Sequence, residues 1–222
     1  MKEKKPRVLV ILDNDFNPDI RVQNEIVALI EVGFEITLLC FGYVGKNYPP
    51  KDNQSLNIIR VGITKSKKDK LFFLASWLPF YSNFWVNHIG KVLTKQSFDL
   101  IYTHDLQMAR PVSKALKKSG KKMPFVLDLH EHLPAAMESY SWTKGIVRKQ
   151  LSRPWIWYKR EKNDLLLPDL VLTLSASFAA RLAKITNRPI ENFHEFANIT
   201  PSREANEVDI KFPFDKNNHT IF

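Results

Sequence analysis

"VLVILDNDFNPDIRVQNEIVALIEVGFEITLLC", from Val8 to Cys40, decides the fold class. An apolar run ends in a turn of Asp13, Asn14 and Asp15, and a run with helical spacing follows, in which Val22, Ile26, Leu29 and Ile30 make one stripe. Asn17 is placed to cap this helix, Pro18 suits its first position, and Gly33 stops it before a second apolar run at Glu35–Cys40. The result is a strand–helix–strand unit. Its turn has no glycine, although a nucleotide-binding fold usually puts its glycines there.

Outward from this unit, short apolar runs alternate with helical patterns, the order expected of an α/β fold with a doubly wound, Rossmann-like parallel sheet. Strands are expected at Arg7–Leu12, Glu35–Cys40, Asn57–Val61, Asp99–Thr103, Pro124–Leu129 and Leu170–Leu174. Their Val, Ile and Leu content suits strands covered on both faces. The segment 43–54 reads as a polar loop, "SWTKGIVRKQLSRPWIWYKREKNDLLLP" as a long helix kinked at Pro154, and "SASFAARLAK" as a short helix capped by Ser175. Residues 1–200 thus form one domain. Residues 201–222 read as a linker ending in "HTIF", the opening strand of a further domain.

Composition narrows the partners. With 44% hydrophobic and 25% charged residues, the chain has material for one ordinary core. Lys and Arg outnumber Asp and Glu by 33 to 23, and the net charge of +10 favours an anionic partner. No nucleic-acid recognition motif accompanies that charge, so a membrane surface or a phosphorylated ligand fits better. The lone Cys40 gives no disulfide framework and suits a reducing compartment. The N-terminal apolar run is too short for a signal peptide, and "LFFLASWLPF" is interrupted by Pro79, well short of the roughly 20 apolar residues needed to cross a bilayer. The expected location is cytoplasmic.

In an open α/β sheet, ligands bind beyond the carboxyl ends of the strands. Here those ends are polar: Asp13, Asn14 and Asp15 after the first, His104 and Asp105 after the fourth, His130, Glu131 and His132 after the fifth, and Ser175 after the sixth. Asp128 and His130 share a strand face by the period of two, so the carboxylate can orient the imidazole. Two His-bearing strand ends, "THD" and "DLHEH", favour a site over one satisfied polar pair. A His-x-His pair on a strand points its rings to opposite sides and no Cys/His framework exists, so no metal and no cofactor are expected. Arg21, paired with Glu25 at i, i+4, stands in the first helical turn at the sheet's rim, where it can meet an anionic group. Lys67, Lys68 and Lys70 precede Phe72, Phe73 and Trp77, a pattern that suits either an anionic membrane surface or a core-packing helix with a charged cap.

The ordered set of motifs resembles the N-terminal domain of a GT-B glycosyltransferase of the large retaining group. "DIRVQNEIVALIEVGFEITLL", "FDLIYTHD", "PFVLDLHEHLP", "PDLVLTLSASFAARLAK" and Asn198 in "FANIT" carry the resemblance, over about residues 6–200. It implies two Rossmann-like domains facing a cleft, the first on the acceptor side and the second holding the nucleotide-sugar. It implies His130 and Glu131 as active-site residues, with Asp13, Asn14, Arg21, His104, Asp105, Ser175 and Asn198 lining the substrate side. The implied partners are a nucleotide-sugar donor, held mainly by a second domain that this chain lacks, and a glycan or lipid-linked acceptor. Alone, such a half is expected to be inactive. A peripheral membrane or scaffold module with a degenerate site, or half of a sugar-nucleotide epimerase, are the alternatives.

Overall fold

The computed structural model describes residues 5–48, 54–140, 150, 153 and 155–196. Seven strands form one sheet: β1 (Arg7–Asp15), β2 (Glu35–Tyr43), β3 (Leu56–Ile63), β4 (Leu100–His104), β5 (Phe125–Asp128), β6 (Leu170–Thr173) and β7 (Phe193–Glu195). Their order is β3-β2-β1-β4-β5-β6-β7, and every neighbouring pair is parallel. The order reverses direction between β1 and β4, which makes that crevice the switch point where α/β sheets bind ligands. The doubly wound reading holds. The added strand, β7, is three residues long and follows a single 3-10 turn, too short for a periodicity argument.

The helices are α1 (Ile20–Glu31), α2 (Lys65–Phe73), α3 (Phe80–Lys95), α4 (Ala109–Ser119), α5 (Leu133–Ser139), α6 (Trp155–Asp164) and α7 (Ala176–Thr186). They divide between the faces of the sheet. Alternation along β1 sends Leu9 and Ile11 into a cluster with Phe41, Trp85, Ile89 and Trp157, under α3, α4 and α6. Val8, Val10 and Leu12 join Val22 and Ile26 of α1 on the other face. Trp85 is fully buried, so the aromatic stretch after α2 belongs partly to the core.

Asn17 does not cap α1. Asp19 does, its carboxylate accepting from the Val22 amide at 3.2 Å, while the Asn17 side chain accepts from Arg60. The reason is a tighter turn upstream. Asp15 accepts from the Asn17 amide at 3.2 Å, Gln23 donates to the Phe16 and Asn17 carbonyls, and the chain enters the helix two residues late. Side chains thus close the glycine-free turn, which Lys46 and Tyr48 brace by binding Asp15. Strand β1 also runs on to Asp15, across a bulge between Leu12 and Asp15. Ser175 is the cap of α7, as expected, accepting from the Phe178 amide. The segment before α6, Pro154 and "HTIF" lie outside the described residues.

Candidate functional site

The polar strand ends converge on the α1 face at the switch point. His104 and Asp128 sit side by side in the β4–β5 register, and Asp128 holds its carboxylate 3.4 Å from His130 Nε2 and 3.6 Å from His104 Nδ1. The two imidazoles lie nearly parallel, with His104 Nδ1 2.7 Å from His130 Nε2. Glu25 comes down from α1, its Oε2 3.7 Å from His104 Nε2. The Tyr102 hydroxyl stands 2.9 Å from both Glu25 and Asp128. All five side chains are buried or nearly so.

Proton positions follow from these distances. A phenol has one hydrogen, so Tyr102 donates to one carboxylate and the other must bring a proton of its own. Burial pushes Glu25 up to about 7, and the Asp128 charge adds to that while His104 opposes it. Burial would also raise Asp128, but His104 and His130 hold it below its ordinary value. Glu25 is therefore the protonated partner, donating to Tyr102, which donates to Asp128. For His104, burial opposes the charged form, yet Asp128 and Glu25 raise its pKa on balance. Burial drops His130 to about 3, with Asp128 only partly offsetting it and His104 adding to it. His104 then donates Nδ1–H to His130 Nε2, and His130 is a neutral ring carrying its proton on Nδ1. That nitrogen makes no hydrogen bond among the described residues.

These residues hold a proton better than an ion. Glu25, His104, Asp128 and His130 bring four ligand-capable atoms within 4.8 Å of one another. Tetrahedral ligands at the usual bond lengths stand roughly 3.3 Å apart, however, and the 2.7 Å between the two rings is hydrogen-bond spacing. His132 takes no part. Its ring turns the other way, as expected, to lie 3.4 Å from Glu161, which Arg181 also grips through two oxygens.

Beside this array stands Asp105. Its backbone has φ 70 and ψ 142, and its amide donates to the Asp128 carbonyl at 2.8 Å, tying the ends of β4 and β5 together. Burial raises its carboxyl to about 7, and the Asp13 charge adds to this, while His104 and Arg21 oppose it. Asp13, on the opposite face of β1, is buried and also raised, with Lys68 opposing the burial, and it accepts from Gln107 at 3.0 Å.

Other residues singled out in the sequence have more local partners. Arg21 lies 3.6 Å from Asp19 and 3.9 Å from Glu25. Asn14 is exposed and accepts from Tyr43, Glu131 accepts from Tyr140 at 2.8 Å, and Ser175 serves the α7 cap. Lys68 turns inward, 4.0 Å from Asp13, whereas Lys67 and Lys70 stay exposed. Phe72 stacks on Trp157 in the interior and Phe73 is half-buried, while Trp77 is exposed. Asn198 is outside the described residues. Two members of the array, Glu25 and Tyr102, were legible only in part. Glu25 reads as Arg21's helical partner, and Tyr102 precedes His104 by two, the same-face spacing that links Asp128 to His130.

Residues 20–194 match the model of Glycosyltransferase Family 4. No curated protein matches it. Among solved structures, a sucrose-phosphate synthase from Thermosynechococcus elongatus aligns with TM-score 0.58 at 14% identity, over 87% of this chain and 48% of that one. The apo form of the lipopolysaccharide outer core galactosyltransferase WaaB aligns with TM-score 0.51 at 14% identity, over 84% and 44%. A UDP-N-acetylglucosamine 2-epimerase from Rickettsia bellii aligns with TM-score 0.51 at 12% identity, over 86% and 44%. At such identities the likeness is one of fold, that of the N-terminal Rossmann-like domain of a GT-B protein. The chain spans less than half the length of each.

Proposed function

Because the chain belongs to glycosyltransferase family 4, we propose that it supplies the acceptor side of a retaining glycosyltransferase, which moves a sugar from a nucleotide-sugar to a glycan or lipid-linked acceptor. The observation that carries this reading is the His104–His130 pair, buried at the switch point with Tyr102, Asp128 and Glu25 behind it. In a retaining transfer the departing diphosphate can take the acceptor's proton, so the protein needs to position the sugar rather than supply a base. A neutral His130 offering Nδ1–H suits that task, as a hydrogen-bond donor to a sugar oxygen. Asp105 and Glu131 are the acceptors beside it for hydroxyl groups.

The donor's diphosphate belongs elsewhere in this reading, on a second domain, so the 222-residue chain alone leaves nucleotide-sugars intact. The test follows nucleoside diphosphate release by the polypeptide as its gene encodes it in full, with and without candidate acceptors. His130→Ala is expected to abolish transfer with the circular dichroism spectrum unchanged. Unaltered transfer by that variant removes His130 from the site. Nucleotide-sugar conversion that needs no acceptor selects the epimerase reading instead.

A further inference from the structure

On the sheet face opposite α1, a cavity of about 190 Å³ opens between the start of α3, the start of α4 and α6. Its described lining residues include Arg110, Lys114 and Arg160 but one carboxylate, Asp164. Arg110 is paired with Asp164. Arg160 donates to the Ala75 carbonyl at 2.7 Å and lies over the Trp157 ring, and Lys114 makes no hydrogen bond among the described residues. Two further lining groups are buried without a partner among the described residues, the Trp157 indole N–H and the Ser82 hydroxyl. Three cations against one anion, with two unanswered donors, suit a ligand that is anionic and rich in acceptor oxygens. The volume is below the roughly 300 Å³ at which pockets take whole drug-sized molecules, so it fits a headgroup.

The surroundings are apolar where a soluble ligand would leave them polar. Trp77 is 51% exposed and Phe80 54%, Leu78 lies between them, and Trp155 and Tyr158 are exposed on α6. The Arg153 guanidinium lies 4.3 Å from the Trp77 ring centre. Exposed Trp, Tyr, Phe and Leu beside cations make the composition favoured at the boundary between water and hydrocarbon. The cavity also adjoins the candidate site, because its lining residue Gln107 is the one that donates to Asp13.

We propose that this cavity binds the phosphoryl headgroup of a lipid-linked acceptor, whose hydrocarbon chain lies against Trp77, Leu78 and Phe80. The inference rests on the glycosyl-transfer reading and narrows its acceptor to a lipid phosphate or diphosphate.

The probes are farnesyl diphosphate, inorganic pyrophosphate and vesicles of phosphatidylglycerol, with the 222-residue chain followed by calorimetry and tryptophan fluorescence and no nucleotide-sugar present. Farnesyl diphosphate is expected to bind at least about tenfold tighter than pyrophosphate. Lys114→Ala and Arg160→Gln should each weaken both ligands by about fivefold or more. The double change Trp77→Ala, Phe80→Ala should bring farnesyl diphosphate down to the pyrophosphate level. Equal binding of the two diphosphates points to a soluble phosphate and overturns the lipid assignment. Binding untouched by Lys114→Ala, a change at an exposed position, removes the cavity. Displacement of farnesyl diphosphate by the vesicles reduces the effect to a general anionic surface and overturns it too. Transfer to a soluble acceptor without this binding would sink the inference alone, whereas binding without any transfer would sink only the glycosyl-transfer reading.

Discussion

Asp105 combines two costs that a substitution can separate. Its φ of 70 with ψ of 142 lies where side chains other than glycine's are strained, typically by about 1–3 kcal/mol. Its carboxyl, moved from an ordinary 3.8 to about 7, holds a charge at alkaline pH against a penalty of roughly 4 kcal/mol, which partial exposure of the side chain screens to about half. The folded state binds the extra proton between those two values. This residue's favourable contribution is therefore present below about pH 4 and is lost as the pH rises through about 7. Asp105→Asn removes the charge and keeps the backbone strain, so its gain over the native chain should be small at pH 4 and reach about 2 kcal/mol at pH 8. Asp105→Gly removes both, but glycine's unfolded-state entropy returns about 0.5–1 kcal/mol. It should be more stable than the native chain by about 2–4 kcal/mol at pH 8 and keep a smaller gain at pH 4. Urea unfolding followed by tryptophan fluorescence measures both differences. A glycine variant less stable than the native chain at pH 8, or an asparagine variant with the same effect at both pH values, refutes the reasoning.

Glu25→Gln keeps an acceptor near His104 but removes a carboxyl raised to about 7, so its stability should decline less than the native chain's between pH 5 and 8, which thermal melts across that range would show. Glu161→Gln breaks the two-oxygen grip of Arg181 on a buried carboxylate and takes the anion from beside His132; a loss of about 2–4 kcal/mol in urea unfolding is expected, and a neutral result would mean that the ion pair stabilises nothing. Ser175→Ala should cost about 1 kcal/mol through the α7 cap while leaving transfer by the full polypeptide intact; lost transfer at unchanged stability would make Ser175 a substrate residue.

The sheet was legible because its strands are local. Each is a short apolar run bounded by turn residues, and the runs at Val8 and Glu35 enclose a helix whose stripe faces the sheet. The site was legible as far as strand ends go. His104 and His130 were each placed at the rim by position alone, but their 2.7 Å contact depends on β4 and β5 being neighbours, which no local pattern encodes. Glu25 was harder, since a carboxylate on an exposed-looking helix becomes a buried proton donor only when α1 lies across the switch point. The cap expected at Asn17 failed for a related reason: Asp15 and Gln23 tighten the turn and Arg60, from a distant strand, engages Asn17, so the role passes to Asp19.

Charge is arranged against the overall balance, and this bears on which ligand goes where. The chain carries +10, yet the switch point gathers Asp13, Glu25, Asp105, Asp128 and Glu131, with Arg21 already flanked by Asp19 and Glu25. An anion placed there would meet carboxylates first. Protonated Glu25 and Asp105 lessen that repulsion near neutral pH, but they do not turn it into attraction. A neutral polyol meets no such objection, because carboxylates and a neutral His130 are good partners for hydroxyl groups. The cations lie around the corner, at Arg110, Lys114 and Arg160, on the other face of the sheet. On the proposed function, this division suits an acceptor whose sugar lies at the switch point and whose phosphoryl group lies in the basic cavity, with Gln107 and Asp13 between the two.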